Sequence, residues 1–269
     1  MTILRRNNVT VRGPEGAPAM LFAHGFGCDQ SMWRLVAPAF EATHRVVLFD
    51  HVGCGGADLT AYDVQRHGSL DGYAEDVLGI CDALGLREVV YVGHSVSAMI
   101  GLLASIRAPE RFSRLVLIGP SPRYLNDPPE YVGGFERRDL EGLLDLMDGN
   151  HVGWANFLAP LVMGNGERPE LTRELQASFC ATDPFVARRF AEVTFLGDNR
   201  ADLSKVTRPS LIVQCTQDAI APRQVGAYMH RSLGQSTLRE LDASGHCPHM
   251  SHPAETINLI RAYLEGTSS

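Results

Sequence analysis

Short runs of β-branched and apolar residues alternate with amphipathic helical stretches along most of this 269-residue chain. This alternation is typical of a mostly parallel sheet with helices on both faces, because two parallel neighbouring strands need a long crossover between them. The predicted strands are Met20–Ala23, Val46–Asp50, Val89–Gly93, Leu115–Gly119, Ser210–Cys215 and Thr237–Leu241. The predicted helices are Leu70–Leu84, Val96–Ala108, Pro222–Leu233 and Pro253–Leu264. We therefore predict an α/β fold, to which Thr2–Arg12 adds an antiparallel edge hairpin.

The alternation is interrupted between Pro120 and Lys205, where four helical segments follow one another without a strand. Apolar residues recur at helical spacing in each of them: Leu140, Leu143, Leu144 and Met147; Trp154, Phe157, Leu158 and Leu161; Leu171, Leu175 and Phe179; Val186, Phe190 and Val193. We predict a four-helix cap inserted after the sixth strand. Residues 1–122 and 204–269 then form the core, and residues 123–203 form the cap.

Charge and cysteine content narrow the function classes. The chain has 24 Lys and Arg against 31 Asp and Glu, a formal net charge of −7, so nucleic acid and anionic membrane surfaces are poor partners. No apolar run reaches the ~18 residues of a membrane helix, and the N-terminus does not resemble an export signal. The six scattered cysteines have no zinc spacing and are expected to be reduced thiols in the cytoplasm.

The segment Val89–Ile100 carries a Gly-x-Ser-x-small pattern between a predicted strand and a predicted helix. This context is typical of a nucleophile elbow, in which a strained turn lifts the serine Oγ clear of the sheet. Ser95 is therefore the candidate nucleophile, with small Gly93 before it and Ser97 where the usual pattern has glycine. The alternative is an ordinary strand–helix join in which Ser95 only caps the helix.

A serine nucleophile needs a base, and the base needs an acid that orients it. In a fold with this elbow the order along the chain is serine, acid, histidine. Asp218 follows the strand Ser210–Cys215, and His246 follows the last predicted strand. Because the carboxyl ends of parallel strands share one edge of the sheet, both side chains are expected to meet Ser95 there. Asp242 is a rival acid, but it lies on the strand itself.

Two backbone N–H groups are expected to form an oxyanion hole, those of Val96 and Phe26. Val96 follows the nucleophile, and Phe26 lies in a glycine-containing loop after the first predicted core strand. His24 in that loop is expected to be structural. The glycine-rich stretch Gly53–Gly56 has no following lysine, so we interpret it as a turn at the pocket edge and not as a phosphate cradle.

His246, His249 and His252 have a spacing that raises the question of a metal. Pro248 and Pro253 interrupt any helix that would align the three imidazoles, so no metal is predicted. We expect His249 and His252 to be loop hydrogen-bonders or helix caps. Cys247 is expected to be a packing thiol and not a nucleophile.

Four segments together resemble one family. They are His24–Trp33 (HGFGCDQSMW), Gly93–Gly101 (GHSVSAMIG), Gly119–Asp127 (GPSPRYLND) and Gly245–Ser251 (GHCPHMS). From about Val11 to Leu264 the chain resembles the α/β-hydrolase superfamily, and these segments resemble its RsbQ group of bacterial stress-response regulators and related plant karrikin and strigolactone receptors. The resemblance implies the α/β-hydrolase fold with a Ser95–His246–Asp218 triad beneath a four-helix cap, and neither cofactor nor metal.

A small hydrophobic pocket is expected beneath the cap. The residues predicted to line it are Phe26, Val96, Trp154, Phe157, Phe190 and Phe195. This lining offers no charged group to an anionic or strongly polar ligand. The expected substrate is therefore a small hydrophobic ester or lactone.

Three functions fit the sequence. The first is a carboxylic ester hydrolase, with slow turnover allowed, that acts as an RsbQ-like stress-signalling regulator, for which the resemblance implies a PAS-domain protein phosphatase as partner. The second is a metabolic carboxylesterase or lactonase without a signalling partner. The third is a non-catalytic ligand-binding module, which the intact set of Ser95, Asp218 and His246 disfavours.

Overall fold

The computed structural model describes residues 1–266, and within them seven strands form one sheet. Positions 267–269, the end of the predicted second core segment, lie outside the described residues. The strands are β1 (Thr10–Arg12), β2 (Ala19–Ala23), β3 (Arg45–Phe49), β4 (Val89–His94), β5 (Phe112–Ile118), β6 (Ser210–Gln217) and β7 (Ser236–Ser244). The α-helices are α1 (Ile3–Arg6), α2 (Leu70–Ala83), α3 (Val96–Arg107), α4 (Arg137–Gly149), α5 (His151–Met163), α6 (Pro169–Ala181), α7 (Pro184–Phe195), α8 (Arg223–Ser232), α9 (Pro248–Ser251) and α10 (Pro253–Glu265).

The strand order across the sheet is β1-β3-β2-β4-β5-β6-β7. Only β1 pairs in the antiparallel sense, with β3, and all the other neighbouring pairs are parallel. Every residue of β2 and β4 is buried, as strands covered on both faces must be. The predicted mostly parallel α/β fold is confirmed. No helix among residues 1–266 combines the length and the apolarity that crossing a bilayer requires.

The N-terminal hairpin prediction was wrong. Residues 2–12 form the short helix α1 and the single edge strand β1. Contacts with α2 determine this arrangement, because Arg6 forms an ion pair with the buried Asp76 and Ile3 packs against Gly79. Such distant contacts are invisible in the local pattern. The predicted hairpin would place two strands before β2, whereas the structure has only β1 there within the described residues. The cap therefore follows the fifth strand and not the sixth.

The four predicted cap helices are α4 to α7, between β5 and β6. Polar side chains accept hydrogen bonds from free N–H groups at the starts of α5 and α7. Asn150 accepts a hydrogen bond from the N–H of Gly153 in α5, and Asp183 accepts one from Val186 in α7. Helix α5 packs between α4 and α6, while α4 also packs on α7. The boundaries at residues 123 and 203 stay predictions.

Candidate active site

Ser95 occupies a strained turn between β4 and α3. Its backbone has φ +57° and ψ −123°, a conformation that costs a non-glycine residue on the order of 1–3 kcal/mol. The turn is held by a hydrogen bond of 2.8 Å from the Ser95 N–H to the carbonyl of Ile118. A Cβ atom at Gly93 would lie 2.5 Å from the carbonyl oxygen of Ser97, so only glycine fits there. The small-residue pattern in the sequence therefore reflects a close backbone approach.

Ser95, His246 and Asp218 form one hydrogen-bonded chain. His246 Nε2 lies 2.8 Å from Ser95 Oγ, and His246 Nδ1 lies 2.7 Å from Asp218 Oδ2. The other oxygen of Asp218 accepts hydrogen bonds from the N–H groups of Ile220 and Ala221, at 2.8 and 3.1 Å. These bonds fix the carboxylate, which in turn fixes the imidazole. The geometry is that of a serine activated by a base with an oriented ring.

The backbone of His246 is held from two sides. Its N–H donates to the carbonyl of Val162 in cap helix α5, and its carbonyl accepts from His94 Nε2, each at 2.8 Å. The histidine loop is thereby tied to both the cap and the nucleophile strand. The rival acid Asp242 is exposed, and its carboxylate accepts a hydrogen bond from the hydroxyl of Thr216.

Phe26 and Val96 flank the nucleophile as expected. Phe26 lies in the loop after β2, and Val96 is the first residue of α3, where backbone N–H groups are free for an anion. The loop presses against the elbow, because a Cβ atom at Gly25 would lie 2.5 Å from His94 Nδ1 and 3.4 Å from Ser95 Cβ. Val96 is buried beneath the site and does not line the cavity described below. The oxyanion-hole role of the two N–H groups stays a prediction.

A buried polar network supports this loop. The Ser97 hydroxyl donates to the carbonyl of His24 and accepts from His51 Nε2 at 2.7 Å. His24 Nε2 in turn accepts the N–H of His51 at 3.0 Å. Burial lowers the pKa of both imidazoles, so both are neutral at pH 7. The serine that replaces the usual glycine therefore makes two hydrogen bonds that glycine could not.

Tyr124 is a site residue that the sequence reasoning missed. Its hydroxyl lies 3.3 Å from Ser95 Oγ and comes from the loop that leads from β5 into the cap. Burial raises the pKa of Tyr124, so the phenol stays protonated and can donate to the serine oxygen. The segment Gly119–Asp127 was singled out for its resemblance to a family, but its spacing gives no reason to place this ring at the nucleophile.

A narrow apolar cavity opens on Ser95. The volume of this cavity is only about 30 Å³. Its walls come from the core loops and the cap: Phe26, Cys28, His94, Ser95, Leu158, Val162, Leu175, Phe179, Thr194, Phe195, Ile220, His246 and Cys247. No Lys, Arg, Asp or Glu of the described residues is among them. Pockets for drug-sized ligands measure roughly 300–1,000 Å³, so a ligand here must be small or must push side chains apart.

Some of the aromatic residues predicted to line the pocket lie behind its wall and do not reach the cavity. Phe26 and Phe195 line the cavity. Trp154 and Phe190 lie behind Phe26, with ring centroids 5.9 and 5.6 Å from its ring. Phe179 of α6 takes the front position instead, 6.3 Å from the same ring.

Phe157 was wrongly predicted to line the pocket. Its side chain is 61% exposed on α5, one helical turn from exposed Leu161. Helix α5 contains no charged residue and is apolar around most of its circumference, so periodicity could not choose its buried face. Leu158 and Val162 of the same helix reach the cavity instead.

A larger groove of about 630 Å³ lies elsewhere, between the start of α2 and the end of α7. It is open to solvent, and Asp71, Arg189 and Glu192 are among its lining residues. None of the three triad residues lines it. Its size therefore says nothing about the chemistry at Ser95.

The C-terminal histidines differ from expectation in one place. His252 precedes α10 and pairs with the Ser251 hydroxyl at 2.9 Å. His249, predicted as a loop hydrogen-bonder or helix cap, is instead fully buried, with its ring 4.7 Å from that of Trp33. Neither of its nitrogens is hydrogen-bonded within residues 1–266. The fold of α9 turns this ring inward, against the loop after β2. Cys247 is buried, and burial raises the pKa of its thiol.

Comparisons with known proteins identify the family of this chain. The model of the alpha/beta hydrolase family matches residues 20–259. A strigolactone esterase of Pisum sativum is 42% identical over 97% of this chain and 98% of its own length. A karrikin insensitive 2 receptor of Petunia hybrida is 37% identical over 96% of this chain and 95% of its own. A solved hydrolase from Oleispira antarctica is 46% identical, with a TM-score of 0.95 over 98% of this chain and 96% of that one.

These matches confirm the resemblance to the receptor group that the sequence motifs indicated. They extend over nearly the whole chain, including the cap and the loops that carry the hydrogen-bonded serine, histidine and aspartate. The chain belongs to the alpha/beta hydrolase family, and it is a carboxylic ester hydrolase.

Proposed function

We propose that this enzyme hydrolyses a small hydrophobic ester or lactone through an acyl-enzyme on Ser95. The observation that carries the proposal is the hydrogen-bonded chain from Ser95 to Asp218, which opens on a narrow apolar cavity. A chain that only bound ligands would have no need of a strained serine within 2.8 Å of an oriented imidazole.

The proposed reaction has two steps. Ser95 Oγ attacks the substrate carbonyl while His246 takes the serine proton, and Asp218 holds the imidazole in the required tautomer. The N–H groups of Phe26 and Val96 stabilise the oxyanion. The ester bond breaks as His246 returns the proton to the departing alkoxide. Water then attacks the acyl-serine with His246 again as base, which releases the acid and restores the serine hydroxyl.

The cavity sets the substrate class. Its described lining has no charged side chain to pair with an anionic substrate, and its free space is only about 30 Å³. Burying an unpaired charge there would be costly, so the substrate is neutral. The name of one relative, a strigolactone esterase, supports an ester or lactone substrate.

We further propose an RsbQ-like signalling role with a PAS-domain protein phosphatase as partner. The sequence resemblance supports it, and so does one face of α5, where Phe157 and Leu161 are exposed one helical turn apart without a charged residue on that helix. Exposed apolar clusters on soluble domains often mark protein contacts. A metabolic carboxylesterase or lactonase remains the second function to be tested.

Hydrolysis of an aryl acetate and of a small butenolide tests the chemistry. We expect turnover by the wild type that Ser95→Ala abolishes, and labelling of the wild type alone by a fluorophosphonate. Full activity or full labelling of Ser95→Ala would refute the serine mechanism. Slow turnover that leaves the acyl group attached favours the signalling role, whereas rapid release favours the metabolic one.

The partner is tested separately with the purified PAS-domain phosphatase. We expect Phe157→Asp to weaken binding at least about tenfold while hydrolysis is unchanged, since a charge at an apolar contact costs more than 1.4 kcal/mol. Leu59→Asp, at another solvent-exposed apolar position outside the cap, is the matched control. Equal binding by all three proteins would exclude this surface as the partner site.

A further inference from the structure

Three buried ring nitrogens beside the active site have no hydrogen-bond partner among the described residues. They are His94 Nδ1 and both nitrogens of His249. His249 is fully buried, and its ring lies 4.4 Å from that of His94. A buried polar group without a hydrogen bond destabilises the fold, so such a cluster calls for a ligand or an ordered water.

The thiol of Cys247 completes a set of metal-ligating groups. One ring nitrogen of His94, one of His249 and Cys247 Sγ all lie within 4.8 Å of one another. One thiolate and two imidazoles suit a borderline-soft divalent ion, and zinc sites with three protein ligands keep a fourth position open. We propose that His94, Cys247 and His249 form a zinc-binding site that controls the neighbouring active site.

The protonation states of the two imidazoles favour this site. His94 Nε2 faces the carbonyl of His246, so it carries the proton and leaves the lone pair on Nδ1. Burial lowers the pKa of His94 and lowers that of His249 to about 3, so both rings are neutral ligands at pH 7. Neither imidazole has to lose a proton to the solvent before it binds an ion.

Cys247 must lose a proton when the ion binds. Burial raises the pKa of its thiol, and Cys28, Cys215 and Asp218 are the groups that act on it in the same direction. Zinc binding therefore forms a Zn–S bond and releases one proton from Sγ to the solvent. Zn–N and Zn–S bonds of about 2.0 and 2.3 Å place tetrahedral ligand atoms roughly 3.5 Å apart, so the three groups must close by about 1 Å.

The ion has an entry path through the substrate cavity. His94 and Cys247 line this cavity, while His249 lies behind them against Trp33. The open fourth position then faces the space that the substrate occupies. Cys247 also follows the base His246 directly, so a bound ion would hold the histidine loop. We expect zinc to inhibit hydrolysis for both reasons.

This site differs from the triplet that sequence spacing suggests. Of His246, His249 and His252, His249 is the one that the described residues leave buried without a hydrogen bond at either ring nitrogen. His246 is engaged by Ser95 and Asp218, and His252 pairs with a serine hydroxyl.

Zinc titration by calorimetry, with Co²⁺ as a spectroscopic probe, tests the site on the full chain. We expect one equivalent to bind to the wild type and to His252→Gln, and binding to His249→Gln to be at least about 100-fold weaker. The thiolate-to-cobalt absorption band should be lost in Cys247→Ala and kept in Cys28→Ala, another thiol of the same cavity. Circular dichroism confirms that each variant is folded.

The pH dependence gives a second test that does not depend on activity. Release of one thiol proton predicts that the zinc affinity of the wild type rises about tenfold per pH unit between pH 7 and 8. A site made of neutral imidazoles alone would give a flat profile in that range. The proposal is overturned if the wild type binds no zinc, if the profile is flat, or if zinc binds to His249→Gln as tightly as to the wild type.

Discussion

The core and the cap contribute to the active site in different ways. The core supplies Ser95, Asp218 and His246, each just after a parallel strand, with positions fixed by the sheet and by short hydrogen bonds. The cap supplies much of the cavity wall, including Leu158 and Phe179, from helices that pack through their apolar faces. Changes in the core should therefore alter the chemical step, and changes in the cap should alter stability and substrate fit.

The largest effect is expected at the acid of the core. Asp218→Asn should lower kcat about 10⁴-fold with KM changed little, because the amide favours the wrong histidine tautomer. Asp242→Asn, which changes an exposed carboxylate paired with Thr216, is the control and should retain wild-type kcat. Steady-state hydrolysis of an aryl acetate measures both. If the two variants lost equal activity, the assignment of the acid would be wrong.

The next largest effect is expected on stability, from a large aromatic side chain buried in the cap. Trp154→Ala should lower the free energy of unfolding by about 3–5 kcal/mol, because the ring is fully buried against Phe26 and Phe179. Urea unfolding followed by circular dichroism measures the change. A loss below 1 kcal/mol would show that the cap is not packed as described.

Acid should destabilise the fold through its buried histidines. His24, His51, His94 and His249 all have a lowered pKa in the folded state because of burial. Below pH 6.5 the unfolded chain binds protons that the folded chain does not, so stability is complete above that pH and falls as pH decreases. The loss is about 1.4 kcal/mol per pH unit for each such histidine.

For His249, the pH range over which its burial lowers the free energy of unfolding extends from pH 6.5 down to about 3. Urea midpoints at pH 7.5, 6.5 and 5.5 should decrease below pH 6.5, and His249→Gln should flatten the decrease. Equal midpoints at the three pH values would contradict neutral buried imidazoles.

The hydroxyl of Tyr124 should have a modest effect, although it belongs to the loop that joins core and cap. Tyr124→Phe removes one hydrogen-bond partner of Ser95 Oγ, and a bond of this kind contributes about 1 kcal/mol. We expect kcat to fall roughly two- to tenfold while fluorophosphonate labelling persists. A loss near that of Asp218→Asn would assign Tyr124 to the essential machinery instead.

The smallest effect is expected on the outside of the cap. Phe157→Ala should change the free energy of unfolding by less than about 0.5 kcal/mol and hydrolysis by less than twofold, since the ring faces solvent. It is also the same-helix control for Trp154→Ala. A large loss of hydrolysis would indicate that Phe157 lines the pocket, contrary to its exposed position.

The difference between the core and the cap also explains which features the sequence could predict. Gly93 and Ser95 form a motif whose spacing follows from one strained turn, and Asp218 and His246 follow from the rule that strand ends share one edge of a parallel sheet. Local chemistry determines these positions. The sheet and the number of cap helices could be predicted for the same reason.

The remaining features depend on contacts between distant segments. Which side of α5 faces the cavity is decided by packing on neighbouring helices, so Phe157 was misplaced and Leu158 was not chosen. The inward turn of His249 and the helix at Ile3–Arg6 likewise depend on Trp33 and Asp76, which lie far away in the sequence. Periodicity identifies apolar residues but does not say which element covers them.

The most direct test of the central claim is to trap the acyl-enzyme. The wild type is mixed with an aryl acetate, quenched in acid within milliseconds and analysed by intact-mass and peptide mass spectrometry. We expect one acetyl group per chain, carried by Ser95, and none on Ser95→Ala. An acetyl group on Cys247, or hydrolysis without any acylated protein, would contradict a serine acyl-enzyme.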